Sequence, residues 1–313
     1  MAASPVIVII SVYAAWTGIS MLLYAAGTLF YADGPLFSVL VESMVIFHIC
    51  LAALATAFFM VYAMNALRVR KGLRLWLIGF CLFLTGILYL TTRKISPDAV
   101  FLSQITQVLN TANLLVFAFL IGSWIAVYVK RPAELVPLGI VVMMADGFSV
   151  HQGPSREIIA TLATYYQSGM PGPPPAVDFL LMKIIVPGLG HPVPLFGVSD
   201  WIIVAFFSAA AAKFGMNDNL AGKSLSEMIA KQKPAFYFPI SAIGLYIAVF
   251  AAHMLDTFLP ALPFVVLFYL VYIIIRYPHM RDLSRFEWLA TIGAIVLMTA
   301  VMILFALAAK RPF

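Results

Sequence analysis

Asp146 and Asp200 are the residues best placed to do chemistry, because each interrupts an apolar run: Val141–Val150 (VVMMADGFSV) and Gly197–Phe206 (GVSDWIIVAF). A carboxylate held inside hydrocarbon is costly unless it faces a polar cavity or a partner, so such acids are functional candidates by default. Two carboxylates that meet in a low-dielectric site cannot both ionise easily; one keeps a proton near neutral pH while the other stays a base. That pair can activate a water and protonate a leaving amide without a metal or a covalent intermediate. It can equally carry protons. The two acids alone leave an aspartyl hydrolase and a proton- or cation-coupled transporter level, with unrelated structural acids somewhat behind.

Whether the acids meet depends on the elements that carry them. Of the 313 residues, 63% are hydrophobic and only 10% charged, and the mean hydropathy is +1.02. A soluble globule would carry about 25% charged residues. The composition therefore specifies an all-α polytopic membrane protein, a single membrane-embedded domain rather than a soluble enzyme. The net charge of +6 comes from basic residues clustered between apolar runs, which is a pattern of membrane orientation and not of nucleic-acid binding. Cys50 and Cys81 lie within apolar runs, have no CxxC or Cys/His spacing, and read as core packing. The first apolar run lacks a signal-peptide pattern and reads as a retained helix.

Nine apolar runs are expected to span: Pro5–Tyr31, Leu36–Asn65, Leu75–Thr92, Val100–Tyr128, Pro132–Gln152, Val193–Phe214, Phe236–Met254, Leu259–Ile275 and Glu287–Ala309. Turns at Ala32–Pro35 and Leu255–Phe258 close two hairpins. The Ala209–Ala212 run permits close helix approach. Gln104, Gln107, Asn110 and Asn113 form a stripe on the fourth span that should face the bundle as interhelical glue. Between the acids, Ser155–Gln167 reads as a short interfacial helix and Gly169–Pro175 (GMPGPPP) as irregular chain. Phe179–Val186 (FLLMKIIV) is too short to span and reads as a strand, followed by a second break at Pro187–Pro194. In this reading Asp178 is solvated, Lys183 snorkels to the interface or meets a substrate carbonyl, and His48 is a hydrogen-bonded interior residue. Glu42 lies near the outer interface, and His253 and Asp256 are interfacial.

Nine spans put the amino terminus and the loops after spans two, four, six and eight on one side. Thirteen basic residues lie there: Arg68, Arg70, Lys71, Arg74, Lys130, Arg131, Lys213, Lys223, Lys231, Lys233, Arg276, Arg281 and Arg285. The other side has six, Arg93, Lys94, Arg156, Lys183, Lys310 and Arg311. The excess orients the amino terminus to the cytoplasm and the loop between the acids outside. Each acid then lies ~9 Å below the outer boundary, at 1.5 Å per residue.

An apolar span with an acid followed by Phe-Ser-Val, a loop, Gly-x-x-Asp opening the next span, and a later Pro-Ala-Leu opening another together resemble the presenilin and signal peptide peptidase family. The matching residues are Asp146 with Ser149 and Val150, Gly197-Val198-Ser199-Asp200, and Pro260-Ala261-Leu262 followed by Pro263. The resemblance covers the chain from the fifth span onward. The chain departs from the family at Ala145, where Tyr is usual, and at Ser199, where Gly is usual; it has one span fewer before the first acid and an extra span at the end.

The resemblance implies an intramembrane aspartyl protease that hydrolyses peptide bonds in transmembrane helices of other proteins, needing no cofactor and no metal. Asp146 and Asp200 would share the proton and hold the water; Gly197, Ser199, Pro260, Ala261 and Leu262 would shape the site. The strand, with Lys183, Ile184 and Ile185, would receive an unwound substrate by β-augmentation. Residues 1–131 would be amino-terminal helices, 132–276 the catalytic core and 277–313 an extra carboxy-terminal helix. Partners would be transmembrane segments of substrates and membrane lipids. A proton-coupled transporter relaying through the two acids, and a non-catalytic protease-like scaffold, are the alternative readings.

Overall fold

A computed structural model describes residues 4–27, 35–95, 99–170, 172–255 and 259–309. The first turn (residues 32–34), Pro171, Asp256 with the rest of its turn, Lys310 and Arg311 lie outside the described residues. The chain is mainly helical, and among the described residues five helices are long and apolar enough to cross a membrane.

The first four of these match the expected runs closely: α1 (Pro5–Gly27), α2 (Pro35–Tyr62), α4 (Lys71–Thr92) and α5 (Val100–Tyr128). A short α3 (Met64–Val69) continues α2, and the basic cluster Arg68–Arg74 straddles the junction at Arg70. The fifth, α6 (Leu135–Gln152), follows a 3-10 turn that starts at Pro132. Pro154 then opens the amphipathic α7 (Pro154–Gln167), as a proline with no N–H to offer suits a first helical turn.

The sixth run departs from expectation. It is not one helix: Val193–Gly197 forms strand β2, which pairs antiparallel with β1 (Leu181–Ile184), and α8 (Val198–Lys213) begins only after it. Pro194 and Gly197 discourage helix here, and the apolar partner strand supplies the backbone bonds that a helix would have made internally. The strand expected over Phe179–Val186 is shorter, because Phe179 and Leu180 belong to a 3-10 turn (Ala176–Leu180). After α9 (Leu225–Lys231), α10 (Ile240–Met254) and α11 (Leu262–Arg276) have 15 residues each. At 1.5 Å per residue they are about 22 Å long, less than the roughly 30 Å hydrocarbon thickness. α12 (Arg285–Ala309) closes the chain.

α5 is the axis of the bundle. It packs most extensively on α8 and also on α1, α4 and β1. Gly122 permits the α5–α8 approach: a Cβ there would lie 2.6 Å from the Ile202 carbonyl oxygen and 2.7 Å from the Phe206 nitrogen. The alanine run of α8 faces inward, with Ala209, Ala210 and Ala211 fully buried. At the end of this contact Lys213 Nζ donates to the carbonyls of Ala126 (3.2 Å), Val127 (2.8 Å) and Val129, so a cation neutralises the negative pole of α5. α11 packs against α10, α6 and α8, and α12 lies against α6. Outer faces remain apolar and open, as at Trp76, Phe83, Leu90 and Leu289, which suits a surface facing lipid.

Gly122→Val is expected to destabilise the protein by about 1–3 kcal/mol through overpacking, read as a lower thermal midpoint in detergent. Gly79→Ala, where an added Cβ meets nothing within 4 Å, should leave the midpoint unchanged or raise it; equal losses in both would show that α5 and α8 do not meet at Gly122.

Candidate functional site

The two acids reach the same end of the bundle on different helices. Asp146 lies two-thirds of the way along α6, half-buried, and its Oδ2 accepts a hydrogen bond from the backbone N–H of Leu262 at 3.1 Å. Leu262 is the first residue of α11, so the Pro260–Leu262 turn meets the first acid through its backbone. Asp200 is the third residue of α8 and is buried. Its Oδ2 accepts from the backbone N–H of Gly197 at 2.9 Å. An acid at this helix position bonding back to the N-cap is an ordinary way to start a helix. What distinguishes Asp200 is its burial, and its helix shares a packing partner, α11, with the helix of Asp146. Among the described residues the two carboxylates are not hydrogen-bonded to each other; each holds a separate backbone N–H.

Gly197 ends β2 and caps α8, where a Cβ would sit 3.2 Å from Ser199 Oγ and 3.5 Å from Asp200 Oδ2. Ser199 is exposed, as is Ala145 on α6, while Pro260 and Ala261 are half-buried. His48 is buried with Nδ1 2.8 Å from the Met44 carbonyl oxygen, as expected, and His253 is exposed.

The strand residues are placed differently from expectation. Lys183 is buried rather than at the interface: it is 5% exposed, ion-paired with Asp178, and its Nζ donates to Gln107 Oε1 at 2.9 Å. Asp178, expected in solvent, is 0% exposed and also accepts from the Tyr166 hydroxyl. Burial pushes the Lys183 ammonium below its usual range, opposed by the carboxylate of Asp178. Ile184 and Ile185 are core residues at 3% and 1% exposure. The edge of β1 away from β2 is also taken, since Lys183 N–H donates to Thr111 Oγ1 at 3.1 Å. The half-buried strand is β2.

The amide stripe of α5 explains this arrangement. Gln104 Nε2 donates to the Gly190 carbonyl, Asn110 Nδ2 to Phe179 O at 2.8 Å, and Gln107 receives Lys183. Only Asn113 does what interhelical glue would do, donating to Cys81 O and Thr85 Oγ1 of α4 while accepting from Tyr13 of α1. The rest of the stripe grips the loop between the acids.

Asp218, in the segment joining α8 to α9, is a further buried acid that composition did not single out. It is 0% exposed, and Tyr237 Oη donates to its Oδ2 at 2.8 Å. Its Oδ1 lies near the Ser208 Oγ, and both atoms are buried. The only sequence signal is the polar triplet Asn217-Asp218-Asn219 directly after a helix end.

Comparison with family models, with curated proteins and with solved structures returned no match. The residues themselves carry the functional argument.

Burial raises the Asp218 carboxyl from the ordinary 3.8 to about 7, against the opposing Tyr237 hydrogen bond. The folded state therefore holds a proton that the unfolded chain gives up, so this stability is present below pH 3.8 and is lost as pH rises through about 7. Asp218→Asn keeps an acceptor for Tyr237 and adds a donor toward Ser208. It should flatten the fall in thermal midpoint between about pH 5 and about pH 8 and raise the midpoint at the upper end; a slope equal to wild type would refute the assignment.

Proposed function

We propose that the protein is an intramembrane aspartyl protease in which Asp146 and Asp200 form the catalytic pair. The observation that supports this reading is that three separated segments share one helix junction: the acid of α6 accepts from Leu262 at the start of α11, and α11 packs on both α6 and α8, the helices of the two acids. These are the three segments on which the resemblance to the presenilin and signal peptide peptidase family rests. One carboxylate would draw a proton from water as the other donates to the leaving amide, with no metal or cofactor in the step.

In this proposal the shorter helices α8, α10 and α11, together with α12, bring the five long helices to nine crossings, and the excess of basic residues puts the loop between the acids outside. The substrate is a transmembrane segment of another protein, delivered through lipid. Extended substrate would pair with β2, whose residues Val193–Gly197 are half-buried and lead directly to Asp200. Proline at Ile184 or Ile185 would break the core and so does not report on substrate. Proton coupling in a transporter is the competing outcome.

Asp146→Asn and Asp200→Asn should each reduce cleavage of a single-span substrate in liposomes by about a hundred-fold or more, and wild type should show a bell-shaped pH dependence whose limbs belong to the pair. Proton uptake that needs both acids, with no cleavage by wild type over several single-span substrates, would instead support transport.

A further inference from the structure

The segment Leu181–Val186 reads LMKIIV, and in it only Lys183 is polar. A strand normally fixes its register by alternating apolar and polar faces, since a slip of one residue exchanges the faces. Here Met182, Ile184, Ile185 and Val186 are all buried, so a slip exchanges one apolar residue for another. Lys183 is the exception. Displacing it would leave a charge in the core and strand Asp178, itself fully buried. Five contacts fix the native position: the ion pair with Asp178, Nζ to Gln107, the backbone N–H to Thr111, and, on Asp178 and the turn before the strand, Tyr166 and Asn110.

The register of β1 determines where β2 ends. Leu181 pairs with Gly197, Met182 with Phe196 and Lys183 with Pro194, leaving Leu195 as the extra residue of a bulge. Gly197 is the residue whose N–H holds Asp200. We propose that the buried Asp178–Lys183 pair is the register pin of the hairpin and, through β1, β2 and Gly197, a positioning element for Asp200. A buried ion pair adds little net stability over well-packed apolar residues, whereas fixing register is its best-attested use. Tyr166 extends the pin to α7, tying the end of the helix that follows Asp146 to the hairpin that precedes Asp200. The catalytic consequence rests on the protease reading; the register consequence does not.

The test replaces both charges with apolar residues, Asp178→Leu with Lys183→Met, in the full chain with Cys50→Ala and Cys81→Ala. Two cysteine pairs report register by disulfide formation: Ile184→Cys with Val193→Cys for the native pairing, and Ile185→Cys with Val193→Cys for a slip of one. The apolar variant should melt at or above the wild-type temperature, lose native cross-link, gain slipped cross-link, cleave about ten-fold less or worse, and shift the pH profile of the remaining activity. Wild-type cross-linking in a folded apolar variant would overturn the pin, and altered cross-linking with wild-type cleavage and pH profile would overturn the positioning of Asp200. Should the apolar pair not fold, Asp178→Asn with Lys183→Met, which keeps an acceptor for Tyr166, is read by the same cross-links. If wild type cleaves nothing while the cross-links change as expected, the protease reading fails and the pin stands.

Discussion

Irregular backbone buried away from water must have its N–H and C=O groups satisfied by protein, and in this chain α5 supplies that satisfaction. Its amides and Thr111 bind the carbonyls of Phe179 and Gly190, the N–H of Lys183 and the Lys183 ammonium. Its glycine at 122 brings α8 close further along the helix, and Asn113 holds α1 and α4. A two-stranded hairpin is marginal in isolation. Against α5 it becomes a fixed part of the core, and the chain from Phe179 to Gly190 is held by that contact.

The acids are held by backbone. Leu262 N–H on Asp146 and Gly197 N–H on Asp200 are donors that cannot rotate away, so each carboxylate is oriented by the start of a helix rather than by another side chain. The two helix starts are tied together by α11, which packs on both α6 and α8. A site built this way depends on helix placement: a shift of α11 moves the donor of Asp146, and a shift of the hairpin moves the donor of Asp200. The Phe207–Tyr269 stack, with centroids 4.0 Å apart, further joins α8 to α11 below the acids.

Much of this was legible in the sequence because long apolar runs and isolated acids are strong signals. The boundaries of α5 are the expected ones, and Leu262 bonds Asp146 as Gly197 bonds Asp200. The errors have a common cause. Val193–Gly197 is as apolar as a helix start, and only its pairing with Leu181–Ile184 makes it a strand. Asp178 and Lys183 looked like solvent and interface residues because their partners, Tyr166 and Gln107, come from elements that local pattern cannot place beside them. Asp218 was hidden in the same way, its partner Tyr237 lying beyond α9. Hydrophobic period reveals which segments are buried, but it does not reveal which buried polar residues find one another.

The central claim is that Asp146 and Asp200 act as one titrating unit. Isotope-edited infrared titration of the aspartate carboxyl bands in wild type and in the two single Asn variants measures this directly. Coupled acids require that replacing either one moves the titration of the other, with wild type releasing its two protons in separate steps. Titration curves in which each acid keeps its midpoint when the other is replaced would contradict the account.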